Sequence, residues 1–100
     1  NMHSLGFSPV AGATATLSAT TTSSSASIGS LGDKIRVVNA GSAHVFVQIG
    51  TTGVVATSSS LCILSGEEIV ISRGASGEDR IAAITGSGTA TVYATPGYGG

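Results

Sequence analysis

Between residues 34 and 95 apolar side chains recur at every second position, in Ile35/Val37, Val45/Val47/Ile49, Ile69/Ile71 and Ala90/Val92/Ala94. Successive side chains of an extended chain point to opposite faces, so each run can bury one face and leave the other wet. Gly, Ser, Asn and Thr separate the runs, and nowhere do apolar residues recur at helical spacing. The pattern predicts strands at Lys34–Asn39, 44–49, 54–56, 61–64, 67–72, Arg80–Thr85 and 89–95, with Pro96-Gly97 ending the last one. Ala40-Gly41-Ser42 is expected to turn after the first of these, since Asn39 and Gly41 tolerate positive φ. Short strands spaced ~8–12 residues apart indicate an all-β fold. The expected architecture is an antiparallel β-sandwich of jelly-roll type, with a small closed β-barrel as the alternative.

The first third of the chain is built differently. Residues 11–30 carry no charge, and Leu17 and Ile28 are their only large apolar side chains. Fixing a backbone costs ~1–2 kcal/mol per residue, more than so little apolar area can offset without a partner. Residues 1–32 therefore read as an extended N-terminal arm or first strand, followed by a sandwich over 33–100. The alternation Ala13-Thr14-Ala15-Thr16-Leu17 marks where the arm would pair with a sheet, its own or a neighbour's. Only 9% of residues are charged and the net charge is −1, against ~25% charged residues in typical domains. Such a surface repels copies of itself weakly, which suits life inside an assembly.

Residues that could carry chemistry are few. Cys62 is the single cysteine, so no internal disulfide or cysteine-based zinc site can form. In the run Leu61-Cys62-Ile63-Leu64 it reads as a small buried hydrophobe. The two histidines, His3 and His44, have no metal-ligand spacing, and His44 reads as a surface or interface residue. Glu67 and Glu68 are strand neighbours on opposite faces and cannot act as an acid–base pair. Glu78-Asp79-Arg80 lies beside a loop, where a carboxylate could pair with Arg73. No nucleophile elbow, phosphate loop or EF-hand spacing occurs. Four basic residues give too few phosphate contacts for nucleic acid. The expectation is a non-enzymatic protein with no cofactor, no metal, no nucleic acid and no membrane partner. The N-terminus has no signal-peptide pattern and no apolar run approaches ~20 residues, so a soluble protein made in a reducing cytoplasm is expected. The hydroxyl-rich face carrying Thr91, Tyr93 and Thr95 is the best candidate contact surface.

Four segments carry a resemblance: Arg36-Val37-Val38-Asn39-Ala40-Gly41-Ser42, Val45-Phe46-Val47-Gln48-Ile49-Gly50, Ile81-Ala82-Ala83-Ile84-Thr85, and the run from Gly88 through Tyr93 to Gly97. Together they resemble small accessory structural proteins of tailed bacteriophages, of the kind that decorate or cement a capsid. The resemblance covers roughly residues 34–100. It implies a β-sandwich or barrel that forms a homo-oligomer, often a trimer, and binds the major capsid protein on the outer face of the head, after assembly in the host bacterial cytoplasm. In that setting Ala13, Ala15 and Leu17 of the arm, Val45, Val47 and Ile49, and Thr91 and Tyr93 are the candidate assembly contacts, the apolar trio at 45–49 serving for contact or core. The alternative is a tail-associated or receptor-binding β module that holds a host surface glycan on the Thr91/Tyr93 face or the 74–77 loop.

Overall fold

The computed structural model describes residues 6–74 and 77–99. They form nine strands: β1 (Ser8–Pro9), β2 (Ala15–Ala19), β3 (Ser24–Ser27), β4 (Lys34–Asn39), β5 (Val45–Gly50), β6 (Leu61–Ile63), β7 (Glu68–Ser72), β8 (Arg80–Thr85) and β9 (Ala90–Tyr98). No helix occurs among the described residues, so none is long and apolar enough to cross a membrane. The alternation seen in the sequence is realised as burial. In β4, Ile35, Val37 and Asn39 are buried while Lys34, Arg36 and Val38 are half-buried. Val45 and Val47 of β5, Ile81 and Ala83 of β8, and Val92 and Ala94 of β9 face inward in the same way.

Two antiparallel sheets pack face to face. In one, β9 pairs with β4 on one side and with both β1 and β2 on the other, and β4 pairs in turn with β7. In the other the order is β3-β8-β5-β6. The pairings β2·β9, β3·β8, β4·β7 and β5·β6 nest inside one another, as in one long hairpin folded over on itself. Each sheet keeps two edges, so the molecule is a sandwich and not the closed barrel held as the alternative. The core draws on both sheets: Leu17, Ile35, Val37 and Val92 from one, Val45, Val47, Ile63 and Ile81 from the other.

Residues expected to form an arm belong to this sandwich. Leu17 and Ala19 of β2 are buried against β9, Ala26 of β3 packs on the core opposite Ile81, and Ile28 is buried just beyond it. The sandwich thus starts near residue 8, and a boundary at 32/33 corresponds to no break in the structure. The Ser/Thr-rich stretch earns its order from the sheets it joins: Ser24 Oγ donates to Ser18 O, and Thr85 N donates to Thr20 O.

Three local expectations are corrected. The 54–56 segment is not a strand; it lies between two hydrogen-bonded turns, Thr51 to Val54 and Thr57 to Ser60, and Ala56 N donates to Ser23 Oγ. Pro96-Gly97 does not end β9, which runs on to Tyr98 with Pro96 opposite Ile35. Pro96 O accepts from Val10 N, so the missing N–H of Pro96 also faces β1, where Val10 O is already taken by Ala13 N. The proline therefore sits where the ladder has no bond to lose. Finally, the turn after β4 contains no positive φ at Asn39 or Gly41. Gly41 is required instead by close approach, since a Cβ there would lie 2.5 Å from Ala90 Cβ.

Candidate functional site

The surface offers three features with chemical character. The first is the outer face of the β9-containing sheet. Alternation places Thr91, Tyr93 and Thr95 outward on β9, and the register sets Thr16 opposite Tyr93 and Ser18 opposite Thr91. Across β4 the neighbours of Tyr93 and Thr95 are Val38 and Arg36. Thr14 and Thr95 share a hydroxyl–hydroxyl bond of 2.8 Å, and Arg36 donates to Glu68 at 2.6 Å in the one ion pair among the described residues. Tyr93 is 40% exposed and stands in the middle of this field. The face therefore carries hydroxyls along β9 and on the β2 side of one aromatic ring, with Val38 and a satisfied charge pair on the β4 side. It can hydrogen-bond and stack.

The second feature is an open depression of about 400 Å³ where the β7–β8 loop meets the segment before β4. Its centre is Arg73. The guanidinium donates to the carbonyls of Gly29, Leu31, Gly32 and Glu78 at 2.5–2.9 Å, and so ties two loops together. Glu78 does not pair with Arg73 as expected; its carboxylate accepts from Gly74 N while its carbonyl takes the arginine. With four of its five N–H donors spent on the protein, Arg73 is a clamp rather than a receptor for an anion. Asp33 and Asp79 also line the depression, but no group of three or more possible metal ligands exists among the described residues. Part of the loop proposed for glycan binding, Ala75 and Ser76, lies outside the described residues, as does His3.

The third feature is the side of the sandwich where the edge strands β6 and β7 lie. Cys62 is exposed, contrary to its expected burial, because β6 is a three-residue edge strand and Cys62 points outward beside Phe46. Only Ile63 of the 61–64 run is buried; Leu61 and Leu64 are exposed at 47% and 60%. Between the edges runs a shallow groove of about 290 Å³ floored in part by Val47, Ile49, Leu61 and Ile71. His44 packs edge-on against Phe46, with ring centres 5.4 Å apart, and does not join any cluster of ligands.

The expected contact residues divide accordingly. Val45, Val47 and Leu17 are buried inside the protomer and belong to the core, with Val47 reaching the surface only at the floor of the groove. Ala13, Ala15 and Ile49 are half-buried, whereas Thr91 and Tyr93 lie on the outer face described above. Two residues of structural consequence take roles other than those read from the sequence, where Arg73 is a carboxylate's partner and Asn39 a turn residue. The clamp role of Arg73 gave no signal, because its partners are backbone carbonyls. Asn39 did give one: it continues the inward phase of Ile35 and Val37, and its side chain is fully buried. Its Nδ2 donates to Ala43 O and to Ile63 O on the opposite sheet, and its Oδ1 accepts from Gly41 N. No family model, no curated protein and no solved structure matches this chain.

Proposed function

We propose that this chain is a non-enzymatic structural protein of a bacteriophage virion, which binds the major capsid protein lattice and decorates or cements the head. The observation that carries the reading is the surface: a sandwich with net charge −1 that leaves Leu61 and Leu64 exposed beside unpaired strand edges. Apolar edges with so little charge to keep copies apart favour a protein that works while buried against neighbours. The nested pairing of β2·β9, β3·β8, β4·β7 and β5·β6 supports the jelly-roll reading of the sandwich, a wiring shared by many viral capsid domains, though also by lectins. That support is an analogy of fold. Repeated weak contacts across a lattice would then add up through avidity. The test is mass spectrometry of purified particles with copy number determined. A copy number on the scale of the capsid lattice is the expected result, and absence from particles would refute the reading.

The alternative, a tail-associated or receptor-binding module for a host surface glycan, draws on one specific observation: Tyr93 stands exposed among the hydroxyls of Thr16, Thr91 and Thr95. An aromatic ring ringed by hydrogen-bonding groups suits a sugar. On this reading, a multivalent display of the protein binds a glycan array and Tyr93→Ala abolishes the signal, while the particle copy number is small.

A further inference from the structure

We propose that β7 is a self-association edge: it pairs antiparallel with β7 of a second copy about a two-fold axis through Val70, joining two sheets into one. The register of β7 fixes which of its backbone groups are free to do so. Asn39 N donates to Glu67 O and Arg73 N donates to Asp33 O, so residues 67 and 73 turn their backbone groups toward β4. Groups alternate along a strand, so Ile69 and Ile71 also bond inward, while the N–H and C=O of Glu68, Val70 and Ser72 point away from the sheet. Those outward residues are centred on Val70. A two-fold through Val70 sets Glu68 against Ser72 of the second copy and Val70 against its own counterpart, and every outward group finds a partner.

The side chains fit the same operation. On the inner face Ile69 would lie against Ile71 of the second copy, covering residues that are only half-buried in the protomer. On the outer face no like charges meet. Glu68 already holds Arg36, and Lys34 Nζ donates to Ser72 Oγ at 3.1 Å. Pairing brings the Glu68 carboxylate of one copy beside the Ser72 and Lys34 of the other, so each acid lies between two bases. A second copy is thus the partner that the edge itself describes. The other edges lack these properties. β6 has three residues, β3 has four with no large apolar side chain, β1 contains Pro9, and the outward carbonyl of Ser18 on β2 is taken by Ser24 Oγ. β7 has five residues with no proline, glycine or lysine to discourage pairing. The inference stands whether or not the protein belongs to a virion.

Val70→Pro is the decisive variant. The N–H it removes makes no bond within the protomer, so the fold tolerates it as edge strands tolerate proline, yet the pairing loses its centre. Val70→Lys is the second variant, placing like charges directly opposite each other on a half-buried outer position. Sedimentation velocity across a concentration series is expected to show a dimer for the native chain and a monomer for both variants, with circular dichroism unchanged. Hydrogen exchange is expected to show slow amides at Glu68, Val70 and Ser72 in the native chain, and fast ones at Glu68 and Ser72 in the variants. A native chain that stays monomeric would overturn the proposal. So would association that survives both substitutions, or an oligomer in which those amides exchange fast. Should Val70→Pro fail to fold, Val70→Lys alone decides.

Discussion

At position 39 the alternation that makes β4 a strand puts an amide where Ile35 and Val37 put methyl groups. A buried amide left without partners would cost ~1–3 kcal/mol for each unmet group. Here all of its capacity but one lone pair is used, and the bond from Nδ2 to Ile63 O crosses from one sheet to the other. Asn39→Ala is expected to destabilise by about 2–4 kcal/mol, since it removes the donors to the Ile63 and Ala43 carbonyls and the acceptor of Gly41 N and opens a small void. Asn39→Asp keeps the shape but turns two donors into acceptors facing carbonyl oxygens. Its carboxyl would be held neutral in the fold, above its ordinary range, so the folded state binds the proton more tightly than the unfolded one. Stability of that variant is then greatest below the ordinary carboxylate range and falls as pH rises through it, with urea midpoints at a series of pH values as the measure. Arg73 acts at the other end of β4 by the same means, with carbonyls of two loops gathered on one planar fork. Lysine keeps the charge but not the fork. Arg73→Lys should cost about 1–3 kcal/mol and speed hydrogen exchange around Gly32 and Glu78, whereas added salt should matter little because no carboxylate is involved.

The strands were legible because a period of two is imposed by the backbone itself, and β4, β5, β8 and the first part of β9 fall where the alternation put them. What could not be read was set by partners distant in sequence. Pro96 stays inside β9 only because Val10 O is occupied by Ala13 N, and no local pattern announces that. Cys62 is exposed because it shares the outer face of its sheet with Phe46 on a short edge strand, whereas Ile63 beside it points inward, a phase that a continuous apolar run conceals. The contact face was legible in part: Thr91 and Tyr93 follow from their phase on β9, while the hydroxyls facing them come from β2, some 75 residues away in sequence. Gly41 shows the same limit in the turn between β4 and β5, where the constraint is Ala90 and not the φ angle. Gly41→Ala should therefore destabilise by about 1–3 kcal/mol through overpacking. Adding Ala90→Gly should recover part of the loss, since the new Cβ would still meet the Cα of residue 90 at 2.6 Å. Denaturant midpoints of the two single variants and the double one supply the cycle, and strict additivity would refute the contact.

In the whole molecule the chain closes on itself, because its first long strand lies beside its last. β2 pairs with β9 along five residues, Ala15 to Ala19 against Ala94 to Ala90, and β3 pairs with β8 along four. One sheet therefore takes β1 and β2, and the other β3, from a segment whose composition suggests an arm. Thr and Ser supply the strand propensity there, and the few apolar residues fall on the inward positions: Leu17, Ala19, Ala26 and Ile28. Burying a Leu or Ile side chain is worth ~1.5–3 kcal/mol, and a domain of this kind holds only ~5–15 kcal/mol of net stability. Losing β2 and β3 removes two such side chains and also uncovers Val92, Ala94, Ile81 and Ala83 with the backbone groups that faced them. Deleting residues 1–30 should thus abolish cooperative unfolding altogether, while deleting residues 1–12, which removes only the two-residue β1 from the sheets, should leave one cooperative transition at a lower midpoint. Thermal melts followed by circular dichroism distinguish the two. If the longer deletion still unfolded in one sharp transition, β2 and β3 would be accessories free to leave the sandwich and pair elsewhere. If it does not, any partner must be met by the outer faces and edges of an intact sandwich, which is the condition that both the hydroxyl face around Tyr93 and the β7 edge already satisfy.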